Sequence, residues 1–291
     1  MRSLAVLSLK GGVGKTSVVL GLAGAALMRG IRTLVVDLDP QGNSTTTLEP
    51  GETNATLADV LADPRPSVLR DAIAPSAWGE GLDVLVGAEE VEAHNQPDPD
   101  AAQLSRLDHA LSKLDGVVES PDQYLTDYRL VIMDCPPSLG QLTRSALVAA
   151  DRALLVTEPT IYSVTGVQRA FEAVQNERMH NPALQPLGVV VNRVRIRSIE
   201  HSYRIQELRE IFGALVLPTV LPDRSAVQHA QGAGLPIQRW GTPAAREMAV
   251  AFDALLARIL RTTQLRRRPV PNETVPNEAG TTKGETHEAG A

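Results

Sequence analysis

The stretch LKGGVGKTS at residues 9–17 contains most of a phosphate-binding loop. The usual pattern of such a loop is G-x-x-x-x-G-K-[ST], and G-K-T at residues 14–16 supplies its end. Counting back from this end, the first glycine of the pattern falls at position 9, where Leu9 stands, and a second lysine, Lys10, follows. The stretch therefore departs from the ordinary pattern at its first position and carries an additional lysine directly after that position.

The residues on either side of this loop predict the strand–loop–helix arrangement that a phosphate loop requires. A strand is predicted at residues 4–8 and a helix at residues 15–28. Backbone N–H groups of residues 12–16 would then surround phosphate groups at the positive end of the helix dipole. In this arrangement we expect Lys15 to reach the β- and γ-phosphates and Thr16 to offer its hydroxyl to Mg²⁺.

The composition argues against disulfide-rich, secreted and membrane-spanning classes of protein. The chain has 291 residues, of which 43% are hydrophobic, and a formal charge of −6, so any nucleic-acid contact must use a local basic patch. Its single cysteine, Cys135, rules out a disulfide framework and an intramolecular cysteine-rich metal site. No run approaches the ~18 apolar residues that span a bilayer, and the N-terminal run is too short for a secretory signal. These features predict a soluble, cytoplasmic protein.

Short apolar runs rich in β-formers alternate with helical patterns, which predicts an α/β fold with parallel strands joined by crossover helices. Besides the strand at residues 4–8, strands are predicted at residues 33–37, 82–86, 130–134, 153–157 and 188–192. Further helices are predicted at residues 101–114, 139–149, 164–176, 198–212 and 242–261. Because the strand runs are continuously apolar, we expect a mostly parallel sheet that helices cover on both faces.

The sequence predicts one folded domain at residues 1–262. Residues 263–291 have no apolar periodicity and carry four basic and four acidic side chains. The basic side chains are concentrated at residues 266–268, and the remainder is polar. This segment is therefore predicted to be a disordered tail, basic and then polar.

Two further motifs place aspartates at the ends of predicted strands. Residues 37–43 are DLDPQGN and residues 134–138 are DCPPS. Ligands bind at the carboxyl ends of strands in an open parallel sheet, so one carboxylate could organise a Mg²⁺ shell and another could orient an attacking water. Each aspartate could instead cap the next helix, and Lys10 could be a solvated lysine. The three motifs together favour a nucleotide site, with Lys10 on the outer side of the loop, where a facing subunit could approach.

With these motifs the sequence resembles the ParA/MinD family of deviant Walker ATPases, and in particular its short ParA-like members. The resemblance rests on KGGVGKTS at 10–17, VDLDPQGNST at 36–45 and MDCPPSLG at 133–140, with weaker support from VVNR at 190–193 and LPDRSAVQHAQGAGLPI at 221–237. It spans roughly residues 1–262 and implies a P-loop NTPase fold that uses ATP and Mg²⁺. In this family the altered loop loses the first glycine and gains a lysine in the place of Lys10.

The resemblance also implies roles for single residues. Lys10 is similar to the lysine that crosses to the partner's ATP in a nucleotide-sandwich homodimer, and Gly11 to the glycine at that tight interface. Asp39 resembles the carboxylate that positions the hydrolytic water, and Asp134 resembles the Walker B aspartate. The catalytic residues are then Lys10, Lys15, Asp39 and Asp134, and the Mg²⁺ residues are Thr16, Asp39 and Asp134. The nucleotide-binding residues are Gly11, Gly12, Val13, Gly14, Lys15, Thr16, Ser17, Asn192, Pro222 and Asp223, of which the last three are expected near adenine.

The function that the resemblance implies is an ATP-dependent dimerising switch that binds DNA non-specifically and partitions or positions DNA or another large cargo. Its ATPase would be slow alone and stimulated by a ParB-like partner, and the protein would associate with the nucleoid. The DNA contacts are expected at Arg193, Arg195, Arg197 and Arg224. The first three alternate with apolar residues, so we expect them on one face of an extended segment. Arg197 is similar in placement to one DNA-contacting arginine of the chromosomal ParA type. The position of a second such arginine is occupied by Ala226 in this chain.

Two alternatives remain open from the sequence. A MinD-like membrane switch would use residues 251–268, which are apolar and then basic. The apolar residues of that stretch, Leu255, Leu256, Ile259 and Leu260, are more simply explained as the buried face of the last helix. An ATP-dependent synthetase on the same scaffold is possible in principle, but we find no second group of residues for a small substrate. An iron–sulfur reductase is excluded, because one cysteine per chain cannot give two subunits four cluster ligands.

Overall fold

The computed structural model describes residues 1–115 and 128–263, and in these ranges eight strands form a single sheet. The strands are β1 (Arg2–Leu7), β2 (Thr33–Asp37), β3 (Ile73–Pro75), β4 (Leu82–Leu85), β5 (Leu130–Asp134), β6 (Arg152–Thr157), β7 (Gln185–Val194) and β8 (Val216–Pro222). Their spatial order is β3-β4-β2-β5-β1-β6-β7-β8. Every neighbouring pair is parallel except β3–β4. The predicted mostly parallel α/β sheet is therefore confirmed.

Helices cover both faces of this sheet. They are α1 (Lys15–Met28), α2 (Asn43–Leu48), α3 (Leu57–Ala62), α4 (Pro66–Asp71), α5 (Ala101–Ser112), α6 (Gln141–Ala149), α7 (Ser163–Glu177), α8 (Ile199–Phe212), α9 (Ser225–Gly232) and α10 (Pro243–Thr262). Buried residues of α1, α2, α9 and α10 belong to one apolar layer, and those of α3 to α8 belong to the other. The phosphate-loop helix α1 therefore shares its layer with the last helix, α10.

The central strands are buried on both faces, which explains their continuous apolar runs. Successive side chains in a strand point to opposite sides of the sheet. In β1, Leu4 and Val6 pack in the layer of α1, whereas Ala5 and Leu7 pack in the layer of α5 and α6. Both layers then fix β1 in the middle of the sheet, so that its carboxyl end presents the phosphate loop.

Helix α10 ends at Thr262, where two strands hold it. Arg2 Nε of β1 donates to the carbonyl of Thr263 at 2.8 Å, and Arg152 Nη2 of β6 donates to the carbonyl of Thr262 at 2.6 Å. Apart from Thr263, the predicted tail lies outside the described residues. No helix within the described ranges is long and apolar enough to cross a membrane.

Gly21 sets the distance between α1 and α10. A Cβ atom on Gly21 would overlap the ring of Phe252, a buried residue of α10. We expect Gly21→Ala to destabilise the protein by about 1–3 kcal/mol, because overpacking outweighs the better helix propensity of alanine. Gly166→Ala in α7, where an added Cβ meets no atom within 4 Å, should instead stabilise by about 0.5–1 kcal/mol. Urea unfolding of both variants tests this, and a Gly21→Ala protein as stable as the parent would contradict the packing argument.

Candidate active site

The phosphate loop connects β1 to α1 and depends on glycine at two positions. Gly12 has φ +80° and Gly14 has φ +86°, and this left-handed conformation is costly for residues with a Cβ atom. Gly14 is the N-cap residue of α1, and Lys15 is the first residue of the helix. Lys15 is buried, with 6% of the residue exposed. The loop thus has the predicted strand–loop–helix setting.

The residues predicted to contact adenine lie beside this loop. A cavity of about 130 Å³ is lined by Ser17 at the start of α1, by Asn192 near the end of β7, and by Pro222 and Asp223 at the end of β8. Asn192 is buried, and its Nδ2 donates to the carbonyl of Val13 at 2.8 Å. The structure therefore brings together predicted nucleotide residues that are about 200 positions apart in the chain.

Carboxylates lie at the ends of the adjacent strands β2 and β5. Asp37 is paired in register with Asp134, and neither residue is exposed. Asp134 Oδ2 accepts a hydrogen bond from Ser44 Oγ at 2.8 Å. Asp39 lies two residues beyond the end of β2 and is 6% exposed, and its Oδ1 accepts from the N–H of Gln41 at 3.1 Å. Both predicted carboxylates, Asp39 and Asp134, are thus at the carboxyl edge of the sheet.

Asp37 and Ser44 belong to the site although the sequence did not single them out. Asp37 Oδ2 accepts from the N–H of Thr45 at 2.8 Å and its Oδ1 from the N–H of Asp39 at 3.3 Å, so Asp37 holds the segment that carries Asp39. Burial, with a further contribution from the charge of Asp134, raises the pKa of Asp37 to about 7. Both residues lie inside the 36–45 motif, which was the available signal.

The surroundings of Asp134 fit a magnesium ion. Its Oδ1 is buried and accepts no hydrogen bond from any described residue. Burial raises the pKa of the Asp134 carboxyl, while the charge of Lys15 and the hydroxyls of Ser44 and Thr16 act in the opposite direction. An oxygen of this kind, without a donor and close to a threonine hydroxyl, suits a hard cation that takes oxygen ligands.

The residues that would hold Mg²⁺ are the three predicted ones, Thr16, Asp39 and Asp134. In the described ranges, no three His, Cys, Asp or Glu side chains are grouped closely enough to bind a metal by themselves. Mg²⁺ is commonly bound by one or two carboxylates together with phosphate oxygens and water. When bound with a nucleotide, the ion would neutralise charge on the phosphate groups.

Lys10 lies on the outer rim of the loop, as the sequence suggested. Its side chain is 49% exposed, and its Nζ pairs with Glu158 Oε2 at 3.4 Å. Glu158 immediately follows β6, at the same carboxyl edge as the aspartates. Sequence reasoning missed Glu158, although the end of a predicted parallel strand was a signal that could have identified it.

The prediction that three arginines lie on one face of an extended segment is wrong. Strand β7 ends at Val194, Arg193 has φ +54°, and residues 196 and 197 form a turn. The N–H of Ser198 donates to the carbonyl of Arg195 at 2.9 Å, and Ser198 then caps α8. The left-handed residue and the turn interrupt the alternation of side chains that an extended segment would have.

The four arginines have different surroundings. Arg193 donates to the phosphate loop and to Glu158. Arg195 pairs with Asp223 at 3.1 Å, and Arg224 pairs with Glu247 at 2.8 Å. Arg197 is exposed and forms no hydrogen bond or ion pair through its side chain with another described residue. Ala226 is buried, so the position of the second expected arginine belongs to the core.

Comparison with known proteins identifies the family. Residues 1–185 match a family model described as an AAA domain. The chromosome partitioning protein ParA of Caulobacter vibrioides is 31% identical over 240 residues, which cover 81% of this chain and 86% of that protein. The chain belongs to the ParA/MinD family of ATPases.

Two solved structures are similar to this chain in fold. The cell division ATPase MinD of Pyrococcus furiosus has a TM-score of 0.68 at 27% identity, covering 90% of this chain and 99% of that chain. The cobyrinic acid a,c-diamide synthase of Mycobacterium smegmatis, solved with bound ADP and magnesium, has a TM-score of 0.71 at 27% identity, covering 90% of this chain and 94% of that chain. The P-loop fold is therefore confirmed, and the expected cofactors, ATP and Mg²⁺, agree with the bound groups of that neighbour.

Proposed function

We propose that the chain is an ATP-driven switch that dimerises with ATP, binds DNA non-specifically, and partitions or positions DNA or another large cargo. Glycine at position 11 is the observation that supports dimerisation. Gly11 lies outside the left-handed region that Gly12 and Gly14 require, and a Cβ atom on it would meet no atom within 4 Å. Neither its backbone nor its packing within this subunit explains a glycine. A second subunit that approaches the loop closely would explain it.

Lys10 supports the same dimer. It is next to Gly11 on the rim of the loop, and its ammonium group stays half-exposed to solvent although it pairs with Glu158 at 3.4 Å. An ammonium group in this place is available to a nucleotide that a facing subunit holds. The γ-phosphate would then join the two subunits, and hydrolysis would release them, as in other switches that a nucleotide biases.

Hydrolysis is proposed to be slow in the isolated protein. Asp39 would orient the attacking water, while Lys15 and Asp134 would organise the phosphates and the ion. We propose that a ParB-like protein that presents a basic peptide stimulates turnover. The Caulobacter relative is named a chromosome partitioning protein, which supports a role in partitioning.

The DNA contact is proposed to centre on Arg197. Its side chain is exposed and without an intramolecular partner in the described ranges, so binding a phosphate would break no existing ion pair. Arg195 and Arg224 would have to exchange their carboxylate partners, Asp223 and Glu247, for phosphates. Such contacts give affinity without sequence information, which suits association with the nucleoid.

The membrane-switch alternative finds less support. Of the four apolar residues predicted to form the buried face of α10, three are buried in the core with Phe252 and the fourth is partly buried against it; they are Leu255, Leu256 and Ile259, and Leu260 respectively. The end of α10 is also hydrogen-bonded to Arg2 and Arg152. Inserting this helix into a bilayer would therefore require leaving the core and breaking both contacts.

Binding to random-sequence duplex DNA tests the proposal. We expect binding with ATP but not with ADP or without nucleotide, and a steep loss of affinity as salt rises. Arg197→Ala should reduce the slope of log K against log salt by about two, since a dimer loses two phosphate contacts. Fluorescence anisotropy over a salt series measures this, with the hydrolysis-deficient Asp39→Ala background holding the ATP state.

The matched control is Arg65→Ala, which removes the same charge from an exposed arginine just before α4, beside the opposite edge strand β3. Its DNA affinity should equal that of the parent. Sedimentation with liposomes in ATP, without any DNA binding, would instead support the membrane switch. A protein that hydrolyses ATP as a monomer and binds neither DNA nor liposomes would favour a small-molecule enzyme.

A further inference from the structure

Arg193 has an uncommon backbone conformation at the end of β7. Its φ of +54° lies in the left-handed region, which only one other non-glycine residue adopts within the described ranges. Such conformations cost free energy and persist where the surroundings impose them, often at functional sites. In a regular strand, the side chains of residues 192 and 193 would point to opposite faces. The left-handed residue removes this alternation.

As a result, two consecutive side chains reach the phosphate loop. Asn192 Nδ2 donates to the carbonyl of Val13 at 2.8 Å, and Arg193 Nη1 donates to the carbonyl of Gly12 at 2.6 Å. Fixing these carbonyls fixes the peptide planes on which the loop N–H groups depend. The space is tight, because a Cβ atom on Gly14 would lie 2.5 Å from Asn192 Nδ2 and 3.8 Å from Arg193 Nε.

Glu158 connects this contact to Lys10. One carboxylate oxygen of Glu158 lies 2.9 Å from Arg193 Nη1, and the other lies 3.4 Å from Lys10 Nζ. The Glu158 side chain is only 17% exposed, so its negative charge is placed between two cations that would otherwise repel each other. Arg193 therefore holds the loop directly through Gly12 and holds the carboxylate that pairs with Lys10.

We propose that Arg193 is a positioning residue of the phosphate loop, whose role is to set the loop for ATP rather than to contact DNA. This inference rests on the proposed ATP-binding role of the same site. It explains why a long, charged side chain occupies a backbone conformation that favours glycine or asparagine. It also removes Arg193 from the DNA-contacting group, because its guanidinium already donates to Gly12 and Glu158.

Arg193→Asn tests the role, because asparagine tolerates the left-handed conformation but is too short to reach Gly12. We expect about tenfold weaker binding of a non-hydrolysable ATP analogue, with an unchanged unfolding temperature in the absence of nucleotide. Affinity for DNA at saturating analogue should also be unchanged. Arg193→Lys, which keeps the charge but not the planar fork, should recover part of the affinity. Isothermal titration and thermal unfolding provide the readouts.

The control is Arg204→Asn in α8, an arginine that is likewise held by two partners, the carboxylates of Glu200 and Glu207, but does not contact the loop. Its analogue affinity should match the parent. Equal losses in both variants, normal affinity in Arg193→Asn, or a loss of DNA binding at saturating analogue would each overturn the inference. Lys15→Ala separates this from the proposed function: if it binds the analogue normally, the nucleotide site itself fails. If Lys15→Ala loses binding while Arg193→Asn keeps it, only the role of Arg193 fails.

Discussion

Lys15→Ala should abolish measurable ATP binding. Lys15 begins α1 directly after Gly14, the second left-handed glycine of the loop, and its charge opposes the rise in the pKa of the Asp134 carboxyl. The alanine variant leaves the polyphosphate without this buried charge, and truncating one partner of a buried charge pair costs about 2–5 kcal/mol. We therefore expect affinity to fall about a hundredfold or more. Titration with a fluorescent ATP analogue in the presence of Mg²⁺ measures the loss.

Lys10→Ala is the control for this experiment, because it removes a lysine from the same loop. Lys10 is half-exposed on the rim, so its loss should leave the affinity of the single subunit within a few-fold of the parent. A Lys15→Ala protein that binds and hydrolyses ATP normally would remove the nucleotide-site assignment. Equal loss in the two variants would mean that Lys10 contacts the nucleotide in its own subunit.

The central strands could be predicted because burial on both faces makes their sequences continuously apolar. β8 was not predicted, since its sequence VLPTVLP contains Pro218 and Pro222, and proline cannot donate to a sheet ladder. The structure resolves this by placing β8 at the edge of the sheet. β3 was not predicted either, because three residues carry too little pattern, and its antiparallel pairing with β4 is set by tertiary contacts.

The site was predictable where its chemistry is local in sequence. The phosphate loop and the aspartates at the carboxyl ends of β2 and β5 are each contained in one short motif. The contact of Glu158 with Arg193 and Lys10 is different, because it depends on β6 lying between β1 and β7. The alternation of Arg193, Arg195 and Arg197 was misleading for a related reason. A single left-handed residue and a turn change where each side chain points, and neither leaves a signal in apolar periodicity.

Asp39→Ala should bind ATP but accumulate as an ATP-dependent dimer. Asp39 is 6% exposed, and within the described ranges its carboxylate accepts a hydrogen bond only from the N–H of Gln41, so removing the carboxylate disturbs little of the fold. Its proposed task is to orient the attacking water, and loss of such a group lowers turnover by about 10²–10⁴-fold. ATP affinity should stay within a few-fold, because Lys15 and the loop N–H groups remain. Light scattering after size-exclusion chromatography in ATP gives the oligomeric state, and phosphate release gives the rate.

The double variant Lys10→Ala/Asp39→Ala decides how that dimer is held. If the half-exposed lysine crosses to the partner's nucleotide, the double variant should bind ATP and remain a monomer, because the γ-phosphate then lacks its cation from the facing subunit. If the double variant still dimerises, Lys10 is not needed to hold the dimer, and its role is limited to the ion pair with Glu158. An Asp39→Ala single variant that stays monomeric and turns over at the parental rate would remove Asp39 from catalysis. The switch proposal requires both steps, since hydrolysis can release the subunits only if the bound nucleotide is what joins them.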